Sequence, residues 1–129
     1  MRMFLSGLAI AAASLSIAAP AFAGDFKPIS QEAYQQAAAS GKPYVFFVKA
    51  DWCPVCKREM PILESLMKDP AFKDYTILVV DFDANKKAVE MLQVEHQSTL
   101  VVMRGNKDIA RATGLTDEAA IRALLLKAA

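Results

Sequence analysis

Hydrophobic and polar positions follow two rhythms along this chain. Residues 44–48, YVFFV, and residues 76–82, TILVVDF, are short apolar runs rich in β-branched and aromatic side chains. Such runs read as strands buried on both faces. Residues 31–40, QEAYQQAAAS, follow Ser30, a capping residue, and precede Gly41, a stop, which predicts a helix. From Pro54 to Met67 the side chains of Val55, Met60, Leu63, Leu66 and Met67 recur at helical spacing. Pro61 is expected to kink this helix and Pro70 to end it. Asp83 is placed to cap a helix over ANKKAVEMLQ. TLVVMR and KDIARAT then flank Gly105-Asn106, a two-residue connection of the antiparallel-hairpin kind. Thr116 is expected to cap a last helix, with Asp117 and Glu118 in its first turn and Lys127 near its end, matching the helix dipole. The predicted order is α-β-α-β-α-β-β-α. Strands alternating with helices pair in parallel, and the final hairpin adds an antiparallel edge. The expectation is a three-layer α/β/α domain around a central mixed sheet.

The N-terminus breaks this rhythm. Arg2 precedes an uncharged apolar run from Met3 to Ala19, then Pro20 and Ala21-Phe22-Ala23. Those are the charged, apolar and small-residue regions of a secretory signal peptide over residues 1–23. An uncleaved anchor is the competing reading, but Ser6, Gly7, Ser14 and Ser16 weaken the run and no basic flank follows it. Cleavage after Ala23 leaves residues 24–129 as one domain, large enough for a core without staples. The leader inflates the 54% hydrophobic content. It also holds the one basic residue by which 15 Lys and Arg exceed 14 Asp and Glu, so the mature domain is balanced. Without a basic run, nucleic acid is not an expected partner. Export, with the periplasm the expected destination, places the chain where disulfides form.

Both cysteines lie in KADWCPVCKREMP, residues 49–61, where a buried strand hands over to a helix. Pro54 suits the first helical position, since its fixed φ matches and its missing N–H has no partner there anyway. That puts Cys53 at the N-cap, where free N–H groups and the positive end of the helix dipole favour thiolate over thiol. Cys56 falls inside the first turn and is expected to be the sheltered partner of an exposed Cys53. An attacking thiolate beside a resolving thiol is what dithiol exchange needs. Zinc wants four ligands, and His96 is the only histidine. Haem attachment wants CxxCH, but residue 57 is Lys57. A structural bridge over so short a loop constrains the unfolded chain little. Redox exchange is favoured over a structural bridge and over a metal or cluster.

With Trp52-Cys53-Pro54-Val55-Cys56-Lys57 after a buried strand, Pro61 beyond it, Ser98-Thr99-Leu100-Val101-Val102 before a hairpin and Gly114 before the last helix, the chain resembles the thioredoxin family. The resemblance spans essentially all of the mature chain, and "ADWC" behind a leader is similar to periplasmic thioredoxin-like proteins. It implies a thioredoxin fold and a thiol–disulfide oxidoreductase. In that reading Cys53 and Cys56 are catalytic, and Trp52, Pro54, Val55, Lys57, Ser98 and Thr99 surround them. No metal and no cofactor is expected beyond a redox-active Cys53–Cys56 disulfide. Expected partners are protein disulfide substrates and a membrane-embedded dithiol electron donor, with the protein itself a monomer.

Three departures from the family pattern matter. Ser98 stands where the family usually has a cis-proline facing the sulfurs. A cis bond there without proline costs about 3–4 kcal/mol, so trans geometry or local strain is expected, and the small hydroxyl opens room for a metal or iron–sulfur cluster between two chains. Phe47 stands where cytosolic-type members carry a buried acid. Lys49, Asp51 and Glu59 are the nearby charges, none of them assigned as a base, and proton transfer through water is the default. Val55 offers the thiolate no side-chain donor, which favours reducing partner disulfides over forming them. The alternatives are a periplasmic disulfide oxidase or isomerase, and a metal- or cluster-binding protein. Trp52 is read as a roof over the site, and His96 as a solvated loop residue with a minor claim to proton donation. Met60, Met67, Met91 and Met103 are read as core.

Overall fold

The computed structural model describes residues 11–16 and 23–129. The leader expected over residues 1–23 lies for the most part outside them. Its elements are β1 (Asp25–Pro28), α1 (Gln31–Ala39), β2 (Pro43–Lys49), α2 (Pro54–Met67), a 3-10 turn (Pro70–Phe72), β3 (Thr76–Asp81), α3 (Lys86–Met91), β4 (Thr99–Arg104), β5 (Lys107–Thr113) and α4 (Glu118–Leu126). The sheet runs β1-β3-β2-β4-β5. β3 pairs in parallel with both β1 and β2, and β4 pairs antiparallel with both β2 and β5. This is the thioredoxin fold the sequence predicts, with one addition at its edge.

That addition, β1, was not expected. DFKP is too short and too polar to show a strand period, and Pro28 cannot donate to a ladder, which fits it only for an edge. Gly24 fastens the entry, its N–H donating to the Met67 carbonyl at 2.7 Å. A Cβ on Gly24 would stand 2.3 Å from the Met67 sulfur and 2.8 Å from the Phe72 carbonyl oxygen, so only glycine lets the strand pass there.

The sheet divides two cores. Val45, Phe47, Ile77, Leu100 and Val102 face α2 and α4, packing on Leu63, Leu66, Ile121 and Leu125. Tyr44, Phe46, Val48, Leu78, Val101 and Met103 face α1 and α3. Strand alternation accounts for the division.

α2 stops at Met67, ahead of Pro70 as expected, and Pro70 opens the 3-10 turn, capped by Asp69. Two helix boundaries differ from expectation. The cap of α4 is Asp117, whose side chain accepts from the Ala120 N–H, in place of Thr116. α3 begins at Lys86 behind Asn85, while the predicted cap Asp83 sits in the preceding turn, its N–H held by the Asp81 carboxylate at 2.9 Å. Carboxylates in these loops close turns on their own backbone in competition with capping. α2 runs unbroken through Pro61. No helix among the described residues is long and apolar enough to cross a membrane.

Candidate active site

Sheet register brings the chemistry together. β2 ends at Lys49 and runs straight into the cysteine segment, while its antiparallel neighbour β4 begins at Thr99. Val48 pairs with Thr99, so Ser98, just before β4, arrives beside the start of α2. Cys53 is the N-cap of α2: its backbone is extended (φ −84°, ψ 114°), its carbonyl accepts from the Lys57 N–H at 3.2 Å, and Pro54 opens the helix. Its sulfur accepts from the Cys56 N–H at 3.2 Å, the bond the cap position predicts.

Ser98 sits between the two sulfurs. Its Oγ lies 3.3 Å from Cys53 Sγ, and Cys56 Sγ donates to it at 3.5 Å. The hydroxyl thus bridges the two sulfurs, able to accept from one thiol while it donates to the other. Burial pushes both thiols up. For Cys53, the Cys56 thiol, the Ser98 hydroxyl and the Cys56 and Val55 backbone amides outweigh burial and hold it below the ordinary cysteine value. For Cys56, burial and the bond to Cys53 prevail and raise it. One sulfur favours the anion and its neighbour keeps its proton.

The expected exposure of Cys53 is corrected. Cys53 is 1% exposed and Cys56 3%, so the two are sheltered alike, and electrostatics rather than access distinguishes them. The sequence could not reveal this, because the group covering the sulfurs arrives from a segment 45 residues away. Both thiols are free.

Every described peptide bond is trans, the first of the two outcomes expected at Ser98, and Ser98 adopts φ +60°, a left-handed backbone that is strained without glycine. The strained residue is held from two sides. Its carbonyl accepts from the Gly114 N–H at 2.9 Å, and the next residue, Thr99, donates its hydroxyl to the His96 carbonyl at 2.7 Å. Thr99 Oγ1 also meets Thr113 Oγ1 at 2.8 Å.

Trp52 is 58% exposed, its indole N–H donating to the Asp83 carboxylate at 2.7 Å, so it borders the motif as a flat apolar surface. Val55 is half-buried against the core, and Lys57 is exposed. Lys49 pairs with Asp51 at 2.8 Å, which raises the lysine and lowers the carboxyl. His96 is exposed, and its carbonyl rather than its ring serves the loop. Met91, read as core, is 78% exposed.

The burial of one nearby charge escaped the sequence reading. Glu59 is 0% exposed, and neither carboxylate oxygen has a protein hydrogen-bond partner among the described residues. Burial, and then the charge of Cys53, push its carboxyl up to about 8. The signal was present: the buried seam of α2 is Cys56, Glu59, Leu63, Leu66 and Met67. A spacing of three and four residues from Cys56 to Leu63 passes through a glutamate at a position that ought to be apolar.

The family model described as Thioredoxin matches residues 25–127. The thioredoxin of Chlamydia trachomatis serovar D is 33% identical over 99 residues, covering 77% of this chain and 94% of that one. The thioredoxin of Chlamydia pneumoniae is 34% identical over 101 residues, covering 78% and 96%. The solved structure of Trxlp from Edwardsiella tarda EIB202 is similar at a TM-score of 0.75 and 39% identity, covering 79% of this chain and 97% of that one.

Proposed function

Because this chain belongs to the thioredoxin family of thiol–disulfide oxidoreductases, we propose that its chemistry runs in the reducing direction, in the periplasm, on disulfides of partner proteins. The Cys53 thiolate attacks one sulfur of the partner disulfide. That S–S bond breaks, the leaving thiolate takes a proton, and a mixed disulfide forms. Cys56 gives up its proton and attacks the Cys53 sulfur, which releases the second partner thiolate and leaves a Cys53–Cys56 bridge. Two electrons have moved to the substrate, and no organic cofactor is called for in this scheme. A membrane-embedded dithiol returns them.

The observation that carries dithiol exchange is the meeting of both sulfurs and the Ser98 hydroxyl at the helix N-terminus, while the reducing direction is supported by the absence of a side-chain donor at Val55 and by the thioredoxin relatives. Thr99 anchors the Ser98 loop, Pro54 and Val55 shape the first turn, and Trp52 and Lys57 form the rim that a partner meets. The leader motif is what supports export.

Ser98 also favours a second reading. Val55 gives the thiolate no side-chain donor, but Ser98 supplies one from across the sheet. A donor to the thiolate stabilises the reduced protein and makes the bridge more oxidising, as a disulfide oxidase or isomerase requires. Against it, buried Glu59 opposes charge on Cys53, and the relatives are thioredoxins. For the metal- or cluster-binding alternative, the described residues bring together no three His, Cys, Asp or Glu side chains able to hold an ion, so further ligands have to come from a second chain.

Equilibration against a dithiothreitol buffer separates these readings. A strongly negative potential, with rapid reduction of insulin disulfides, is the expected result. A potential in the range of strong periplasmic oxidants would move the function to disulfide formation. Cys56→Ala expressed in the native host is expected to retain partner proteins on Cys53 as mixed disulfides. Their absence, while a thioredoxin control traps partners, would remove the proposed attack.

A further inference from the structure

We propose that Glu59 is the proton store of the dithiol, taking up one proton when the Cys53–Cys56 bridge is reduced and giving it back when the bridge re-forms. Two geometric facts carry this. The carboxyl lies one helical turn beyond Cys56 on the buried seam of α2, in the layer that also holds both sulfurs. Neither of its oxygens has a protein partner among the described residues. A buried carboxylate with no donor is among the most costly groups a core can hold, so the side chain stays neutral whenever a second negative charge stands near. Cys53 is that charge.

The elements packed against α2 hold their other titratable groups elsewhere. Lys49 of β2 is paired with Asp51, and Asp81 of β3 accepts from the turn that follows it. Tyr75 donates to the Leu125 carbonyl. On α4, Arg122 is paired with Asp69, while Glu118 and Lys127 are exposed. Arg104 of β4 donates to the Ala128 carbonyl. On α2 itself Lys57, Arg58 and Glu64 are exposed. The negative charge acting on Glu59 is that of Cys53.

The step balances. A dithiol donor carries two electrons and two protons, and its S–S bond forms as the Cys53–Cys56 bond breaks. Cys53 becomes a thiolate, Cys56 takes one proton, and the Glu59 carboxylate takes the other. The summed charge of Cys53, Cys56 and Glu59 is minus one before and after. Without an acceptor at Glu59, one proton is released to solvent and the buried charge changes with every turnover. In the opposite direction the same group returns its proton as the two substrate thiols leave. The inference rests on the thiol–disulfide cycle proposed above but not on its direction.

The test follows protons and the carboxyl in the mature protein and its Glu59→Gln variant. Midway between the carboxyl's titration midpoints in the two redox states, the wild type is expected to take up about half a proton more per two electrons than Glu59→Gln, read from the pH dependence of its potential, for midpoints about one pH unit apart. Equal proton counts in both proteins would overturn the proposal. A variant that does not fold leaves a direct measurement on the wild type, carbon NMR of the labelled glutamate carboxyl in each redox state. Its midpoint is expected to fall by about one pH unit on oxidation, a tenfold change in acidity. An unchanged midpoint refutes the store. Failure to reduce any partner protein would refute the preceding reading alone, since both redox states are set here by small-molecule dithiol and disulfide.

Discussion

On the side of the sheet covered by α1 and α3, Tyr44, Phe46, Leu78 and Val101 form an apolar layer whose deepest polar atom is satisfied. The Tyr44 hydroxyl donates to the Gly105 carbonyl at 2.6 Å, and burial with neighbouring Tyr34 pushes the phenol up to about 12, so it stays neutral. On the side covered by α2 and α4, the same kind of layer around Phe47, Ile77 and Leu100 also encloses two thiols and Glu59. Tyr75 there has its carbonyl partner, but the carboxyl has no protein partner among the described residues. Both layers are apolar, but among the described residues the second also encloses two thiols and a carboxyl. The first layer holds the sheet together, and the second gives up some stability to hold a reactive pair.

Single substitutions make the contrast measurable. Cys53→Ser removes the attacking sulfur, so disulfide reduction is expected to fall to the uncatalysed background while the denaturation midpoint barely moves. Retained turnover would break the assignment. Phe46→Ala on the opposite face is expected to do the reverse. It removes about 3–5 kcal/mol of stability, read by urea unfolding, and leaves the alkylation rate of Cys53 in the remaining folded protein unchanged.

Glu59 gives the two faces different responses to pH. An unfolded glutamate titrates near its ordinary value of 4.5, whereas the folded carboxyl titrates at about 8. A raised folded value means that stability is intact below the unfolded pKa and is lost as pH rises toward the folded one. Reduced protein is therefore expected to lose stability between roughly pH 4.5 and 8, by on the order of a few kcal/mol. Glu59→Leu removes the titration, flattens that interval and stabilises the protein at pH 8. A wild-type profile as flat as that of Glu59→Leu would show the carboxyl to be solvated.

Where the sequence spoke clearly, neighbours along the chain decide the outcome. The apolar runs of β2 and β3, the Gly105-Asn106 hairpin and the capping of α2 by Cys53 all depend on residues a few positions apart, and each formed as its pattern dictates. β1 was illegible because pairing with β3, rather than any period of its own, makes DFKP a strand. Ser98 was legible as a departure, but its reach to both sulfurs depends on the β2–β4 register and on a left-handed backbone that no local pattern encodes. Glu59 was half legible. Its spacing from Cys56 and Leu63 puts it on the apolar seam of α2 while its charge argues for the surface, and the packing of α4 and the sheet over that side of α2 decides for the interior.

Two non-glycine residues with left-handed backbones give the finest version of the comparison. Gln93, at φ +54°, follows α3 and closes it, its N–H bonded to the Glu90 carbonyl and that of Val94 to Val89. This is the position at which helices prefer glycine. Ser98, at φ +60°, bears the same backbone burden beside the sulfurs. Glycine at either site relieves about 1 kcal/mol. Gln93→Gly is therefore expected to raise the unfolding free energy by about that amount and to leave Cys53 untouched, because its side chain is exposed. Ser98→Gly gains the same relief but deletes the hydroxyl between the thiols, and a hydrogen bond to a charged group is worth about 1.5–3 kcal/mol. The Cys53 pKa is expected to rise, and its alkylation by iodoacetamide near neutral pH to slow by about tenfold. Equal alkylation rates in the two variants would mean that the strain at Ser98 serves only the loop, and that the helix N-terminus alone keeps Cys53 ionised.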